Sequence, residues 1–355
     1  MVNFIYIDTR EELEKEAEKW TKADCLAIDL ECENNLHHYG SYVSLIQISD
    51  GKNNWVVDVY KLKEIKPLIV VLENKNIQKI FHDVSFDFRI LYNEFKCSPK
   101  NIFDTQVAAL LLGKENIGLG YLLEEYFNIK KESRFQMADW TKRPLTSEML
   151  SYAVKDVLYL IKLRDLLKAA LKKKERLSWA EEEFEEIEKT VFTYKEQDYM
   201  GVRGVKELSP EQLSIFKQLF QLRKNLAEMV DKPVYFVISN KRLKELAISP
   251  SLDWTKVKGV HPIVRQNSVL LKKAVSEGRE APIKLEKNER KFHSAQQKQF
   301  FERLYELQKR IADKLEIKGH LVINKEQMGK IVHDNNLGGL REWQKVLLQK
   351  EGLKL

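Results

Sequence analysis

The run Cys25-Leu26-Ala27-Ile28-Asp29-Leu30 constrains this chain more than any other. It is apolar almost without interruption, which marks a strand buried on both faces, so helices must cover its sheet above and below. Residues 1–110 alternate strand and helix signals around it. Phe4–Ile7 is a short strand, and Thr9 and Glu12 have the spacing of a capping box that opens a helix to Trp20. Tyr42–Ser49 and Asn54–Val59 join Cys25–Leu30 as an antiparallel meander, and Ile77–Phe81 is a further strand before a helix near Ser85–Phe95. From Asp104 onward strand signals fade. Helical spacing takes over, most clearly as one helix spanning Thr146–Leu171.

A chain of 355 residues exceeds one ordinary domain of about 150 residues. The pattern divides it into an α/β domain (1–175), a helical linker (176–205), an all-helical unit (206–281), a second linker (282–293) and a diverged helical repeat (294–355). Pro210, Pro233, Pro250 and Pro262 punctuate the first helical unit at loop-like intervals. Within the first linker, Glu181–Glu188 reads as a solvated acidic connector. Charge is regional: residues 1–175 carry 26 basic and 27 acidic side chains, whereas residues 197–355 carry 31 and 19. Such a module either binds a polyanion or is simply kept soluble by lysines. Cys25, Cys32 and Cys97 form no C-x-x-C pair, so neither a disulfide framework nor structural zinc is expected. No apolar run approaches the roughly 20 residues of a membrane span, and the N-terminus has no export signal. A cytoplasmic location is expected; the oligomeric state is not encoded.

Candidate chemistry lies in carboxylates. Asp29-Leu30-Glu31 ends the buried strand, where ligands of α/β sheets usually sit. His82 and Asp87 follow the strand Ile77–Phe81, with Asp87 in the first turn of the next helix. Tyr152 and Asp156, four apart, share one face of the long helix, and a carboxylate on an apolar face is costly unless paired or bound to a cation. Oxygen-only ligands suit Mg²⁺ or Mn²⁺ better than zinc. Two such ions could clamp the attacking and leaving oxygens of a phosphodiester.

Asp29-x-Glu31, Phe81-His82 with Asp87, and Tyr152-x-x-x-Asp156 resemble the three motifs of the DEDDy 3′-5′ exonucleases, the family of ribonuclease D and its nuclear-exosome relative. Leu45-Ile46-Gln47-Ile48, Phe103-Asp104-Thr105-Gln106 and Asp139–Leu145 match its flanking segments. Asn34–Tyr39, with His37 and His38, is closer to the exosome enzyme. Leu208–Val275 resembles an HRDC domain through Leu222-Arg223, Asp231-Lys232-Pro233, Asn240 and Gly259, and Ser294–Leu348 looks like a diverged second copy.

The resemblance implies an α/β ribonuclease H-like domain, a mixed sheet flanked by helices, followed by one or two all-α HRDC domains. It implies RNA hydrolysis from a free 3′ end, releasing nucleoside 5′-monophosphates, with tRNA precursors as the expected partner. Asp29, Glu31 and Asp156 would hold one of two Mg²⁺ or Mn²⁺ ions, and Asp29 and Asp87 the second. Tyr152 would orient the attacking water, Leu30 would pack on the terminal base, and His82 would line the same pocket. Two other readings stay open: a DNA exonuclease, and an inactive RNA-binding scaffold. A helicase is excluded by the absence of a G-x-x-x-x-G-K-[ST] loop.

Overall fold

A computed structural model describes residues 2–190, 192, 198–251, 253–283 and 294–354. Six strands form one mixed sheet in the order β1-β4-β3-β2-β5-β6. They are β1 (Ile5–Ile7), β2 (Cys25–Asn34), β3 (Ser41–Ser49), β4 (Asn54–Val57), β5 (Gln78–Phe81) and β6 (Ile102–Asp104). β2, β3 and β4 make the antiparallel meander, β1 pairs with β4 in parallel, and β5 and β6 extend the sheet in parallel from β2. Alternate strand residues serve opposite faces. Leu45 and Val56 pack with Trp140, Met149 and Ala153. Ile46, Ile48, Trp55 and Val57 enter the main core, shared with Leu13, Phe88, Leu163 and Leu167 from helices. Both faces are therefore covered, as the apolar β2 requires. No helix among the described residues is long and apolar enough to cross a membrane.

Three local readings are corrected. β2 does not stop at Leu30 but runs to Asn34, with a bulge between Glu31 and Cys32. β5 pairs with it only from Cys25 to Ala27, so the acids stand past that pairing, where the sheet opens. The three-residue β6 is too short to show a period. The long helix is two, Ser147–Lys155 and Leu160–Lys173. Between them the N–H groups of Asp156 and Val157 bond three residues back, to Ala153 and Val154, which tightens the last turn and re-aims the chain. Periodicity hid this break because Leu160, Leu163, Leu167 and Leu171 bury themselves in the main core.

The helical units are built alike. Ser209 and Ser294 each form a capping box with a glutamine, Gln212 and Gln297, and open helices Pro210–Met229 and Ala295–Leu315. In the first helix, buried Arg223 donates to the carbonyl of Ile238, 15 residues on. In the second, Gln308 does the same to Ile323, also 15 residues on. The short helices Val234–Val237 and Gly319–Val322 keep the same offset of 85 (Ser209 to Ser294), as do Asn240–Ile248 and Lys325–Asp334, so the second unit repeats the first through its third helix and then diverges. Each has its own apolar core.

The acidic run Glu181–Glu188 is not a solvated connector. It lies in helix Leu177–Lys189, whose Ala180 and Phe184 enter the main core. Glu183 accepts from Trp343 Nε1 at 3.0 Å and pairs with Arg341 at 3.3 Å, and Trp179 stacks on Trp343. Most of the second expected linker, residues 284–293, lies outside the described residues.

Candidate active site

Asp29 and Glu31, alternate residues of β2, project from one face of the sheet. Asp87 comes from the first turn of helix Val84–Phe95. Buried Asp104 aims that helix: its carboxylate accepts from the backbone N–H groups of Asp83 and Val84 at 3.2 and 2.9 Å, and caps helix Thr105–Leu111 through Gln106 and Val107. One carboxylate thus ties two helix starts together beside β5.

Tyr152 and Asp156 arrive from the opposite layer. Arg143 holds the preceding segment by a two-pronged bond to Asp58, both contacts at 2.6 Å, and donates to the Trp140 carbonyl at 2.7 Å. Trp140 then stacks on Tyr152, with centroids 6.1 Å apart, and Phe135 meets the same ring edge-on. The flanking segments of sequence are therefore the supports of the site's side chains.

All of the expected residues line one cavity of about 1050 Å³. At its floor Asp29, Glu31 and Asp156 each offer an oxygen, the three lying within 4.8 Å of one another. Asp87 is outside that trio yet close enough for its charge and that of Asp29 to couple. Burial, then the charge of Asp156, pushes the Asp29 carboxyl up to about 8. Burial and the charge of Asp29 also raise Glu31 and Asp87 well above the ordinary carboxylate range. Burial raises Asp156 as well, opposed by Lys131. Ionised together, these four acids would carry more negative charge than the paired Lys131 offsets. An oxygen-only donor set of this kind fits a hard divalent cation.

The remaining candidates divide by role. Leu30 and His82 line the cavity. His82 is also a bonded core histidine, its Nδ1 lying 2.9 Å from the Thr105 hydroxyl; burial, then Lys131, lowers it to about 4, so the ring is neutral. Burial and the charge of Asp156 raise the Tyr152 phenol, which stays protonated. Sequence reasoning missed several lining residues, Lys131, Phe86 and Tyr121 among them. Lys131 pairs with Asp156 at 2.8 Å. Phe86 and Tyr121 present exposed rings, 38% and 62% accessible. The Lys130-Lys131 pair between two helical patterns was the available signal; the aromatics had none.

A mixed sheet covered on both faces, with four carboxylates and a tyrosine gathered in one cleft, defines a nuclease domain. Residues 4–172 match the 3′-5′ exonuclease family model, and residues 212–267 match the HRDC domain. Residues 4–172 therefore form a domain of the 3′-5′ exonuclease family, whose members depend on divalent metal ions, and the chain is a homologue of ribonuclease D. It is 30% identical over 289 residues to the exosome complex exonuclease RRP6 of Saccharomyces cerevisiae, covering 75% of this chain and 39% of that protein. It is 32% identical over 248 residues to ribonuclease D of a Shewanella species, covering 69% of this chain and 63% of that protein. The chain thus spans less than two thirds of these relatives. Escherichia coli RNase D has the same fold, with a TM-score of 0.75 at 22% identity over 98% of this chain and 99% of that one. The catalytic core of RRP6 from Trypanosoma brucei gives 0.70 at 25% identity, over 78% and 80%.

Proposed function

We propose that this chain is a 3′-5′ exoribonuclease that removes nucleoside 5′-monophosphates one at a time from a free 3′-hydroxyl end. The observation that carries the reading is the trio of oxygens from Asp29, Glu31 and Asp156, within 4.8 Å of one another on the cavity floor. Asp29, Glu31 and Asp156 hold one Mg²⁺ or Mn²⁺ ion, and Asp29 with Asp87 a second. Bound there, the ions supply an activated water and neutralise charge on the attacking and leaving oxygens. The protonated Tyr152 hydroxyl orients the water by a hydrogen bond rather than acting as base. Leu30 packs against the terminal base, and neutral His82 lines the same pocket without adding charge.

RNA as substrate is supported by the relatives, among them an Escherichia coli enzyme described as an exoribonuclease involved in structured RNA processing. On this reading precursors of tRNA or another stable RNA are the natural substrates, and the basic helical units supply phosphate contacts. The test is incubation with 3′-hydroxyl RNA, 3′-phosphate RNA and matched DNA, in Mg²⁺, Mn²⁺ or chelator, with products sized on a gel. Stepwise shortening of 3′-hydroxyl RNA alone, abolished by chelator, is expected. Shortening of DNA alone would transfer the reading to a DNA exonuclease, and no shortening of anything would leave an RNA-binding scaffold.

A further inference from the structure

The Nζ of Lys131 lies 2.8 Å from Oδ1 of Asp156, and the two side chains are only 27% and 7% exposed. The same ammonium stands 5.9 Å from the centre of the Tyr152 ring. Lys131 belongs to the segment between helices Leu119–Phe127 and Ser147–Lys155, so its side chain reaches the acids from outside the sheet. Oxygens of Asp29, Glu31 and Asp156 lie within 4.8 Å of one another, and Lys131 lines the same cavity as a cation in direct contact with this trio.

We propose that Lys131 is a resident counter-cation of the metal site, which a divalent ion must displace from Asp156 in order to bind. The inference rests on the metal-site reading above. A divalent ion of this class sits about 2.0–2.1 Å from its oxygen ligands. An ammonium paired with the same carboxylate would then lie a few ångströms from it, and two cations that close in a partly dry pocket repel strongly. Lysine suits the exchange, because its charge is compact and its stem flexible. In the metal-free protein Lys131 relieves repulsion among the acids. In the loaded protein it has been evicted, and that displacement lowers the affinity for the ion.

Isothermal titration of the full-length chain with Mn²⁺, without RNA, tests this. Lys131→Met should bind Mn²⁺ roughly 5-fold tighter or more, the lower edge of ordinary coupling between two ligands. Lys131→Gln should do the same if the methionine variant folds poorly, and Lys131→Arg should stay near the wild type. The metal-free Met and Gln variants should also melt below the wild type, with Mn²⁺ narrowing the gap. Unchanged or weaker Mn²⁺ binding in Met and Gln, beside normal binding in the wild type, would overturn this inference alone. No Mn²⁺ binding by any variant, wild type included, would remove the metal-site reading and this one with it.

Discussion

His38 Nδ1 lies 2.7 Å from Oδ2 of Asp231, which joins the β2–β3 connection to the first helical unit across 193 residues of chain. Asp231 also accepts from the Tyr39 N–H at 3.1 Å, and Tyr235 donates to the Leu36 carbonyl at 2.9 Å. His38 Nε2 is 3.4 Å from Asp139, in the segment that supports Tyr152. Burial works against a charged His38, but its bonds to Asp231 and Asp139 outweigh burial and raise its pKa. One imidazole thus sits between a carboxylate of each domain.

Asp231 is mostly exposed, so the pair itself contributes about 1 kcal/mol or less. Its value is orientation. Asp231→Ala should leave the melting temperature nearly unchanged but increase the radius of gyration in solution scattering and raise KM for RNA. A scattering profile identical to that of the wild type would show that the domains are held by other contacts.

Asp29→Asn and Asp156→Asn should each cost more than the roughly 100-fold that loss of an outer partner of a metal ligand can cost. Because burial raises both carboxyls, and the charge of Asp156 raises Asp29 further, the same changes should stabilise the metal-free fold. A melting temperature above the wild type in chelator, together with lost turnover, is the expected signature. Wild-type turnover in either variant would remove that residue from the site.

The raised Asp29 carboxyl has a definite consequence for stability. In the folded chain it holds its proton up to about 8, and its ordinary value is 3.8, so across that interval the folded state binds more protons. This stabilisation is complete below about 4 and is lost as the pH rises through 8. His82, lowered to about 4, acts in the opposite sense only below its ordinary 6.5. From pH 6.5 to 8 the melting temperature in chelator should therefore fall. Added Mg²⁺ should raise it more at pH 8 than at 6.5, since the ligands must be deprotonated to bind. Asp29→Asn should flatten the chelator curve, and an unchanged slope in that variant would refute the assignment.

Phe86 and Tyr121 expose aromatic rings in the same cavity as the acids. Stacking of a base on such a ring contributes about 1–3 kcal/mol. Phe86→Ala and Tyr121→Ala should each raise KM for RNA at least several-fold with little change in kcat. The quenching of a 3′-terminal 2-aminopurine on binding should weaken in parallel. Undiminished quenching in both variants would leave the rings without a role in base binding.

What the sequence made legible follows from how local each signal is. Asp29 and Glu31 were marked by the apolar strand before them, Asp87 by its place in a first helical turn, and Tyr152 and Asp156 by their spacing. Their convergence depends on supports that spacing does not reveal, such as Asp104 bonding the backbone 20 and 21 residues earlier. Lys131 was hidden because nothing local ties it to Asp156. The helix break after Lys155 was hidden because both helices keep the same apolar period. The burial of helix Leu177–Lys189 was hidden for another reason: the partners of its acids lie as many as 161 residues away. The helical repeat was visible only in outline, since Arg223 in one copy is replaced by Gln308 in the other and only the bond they make is kept.

Trp343 fixes the second helical unit to the exonuclease domain. It is 6% exposed, its ring stacks on Trp179 at 4.8 Å and 14°, and its Nε1 bonds Glu183. Removing a buried tryptophan usually costs about 3–5 kcal/mol. Here most of that loss should fall on docking, because Leu304, Ile311, Met328 and Leu348 form a core within the unit itself. Trp343→Ala should therefore split the calorimetric unfolding into two transitions. The nuclease cavity does not include Trp343, so cleavage of a dinucleotide should persist while longer RNA binds more weakly. Trp343→Phe keeps a stacked ring and loses only the bond to Glu183, about 1 kcal/mol, and should unfold in one step. If the alanine variant unfolds like the wild type, the stack contributes no docking energy, and the unit is held by its other contacts, among them Arg341 with Glu183 and Glu186, the Glu342 and Trp343 N–H groups with Glu182, and Arg176 with the Leu315 carbonyl.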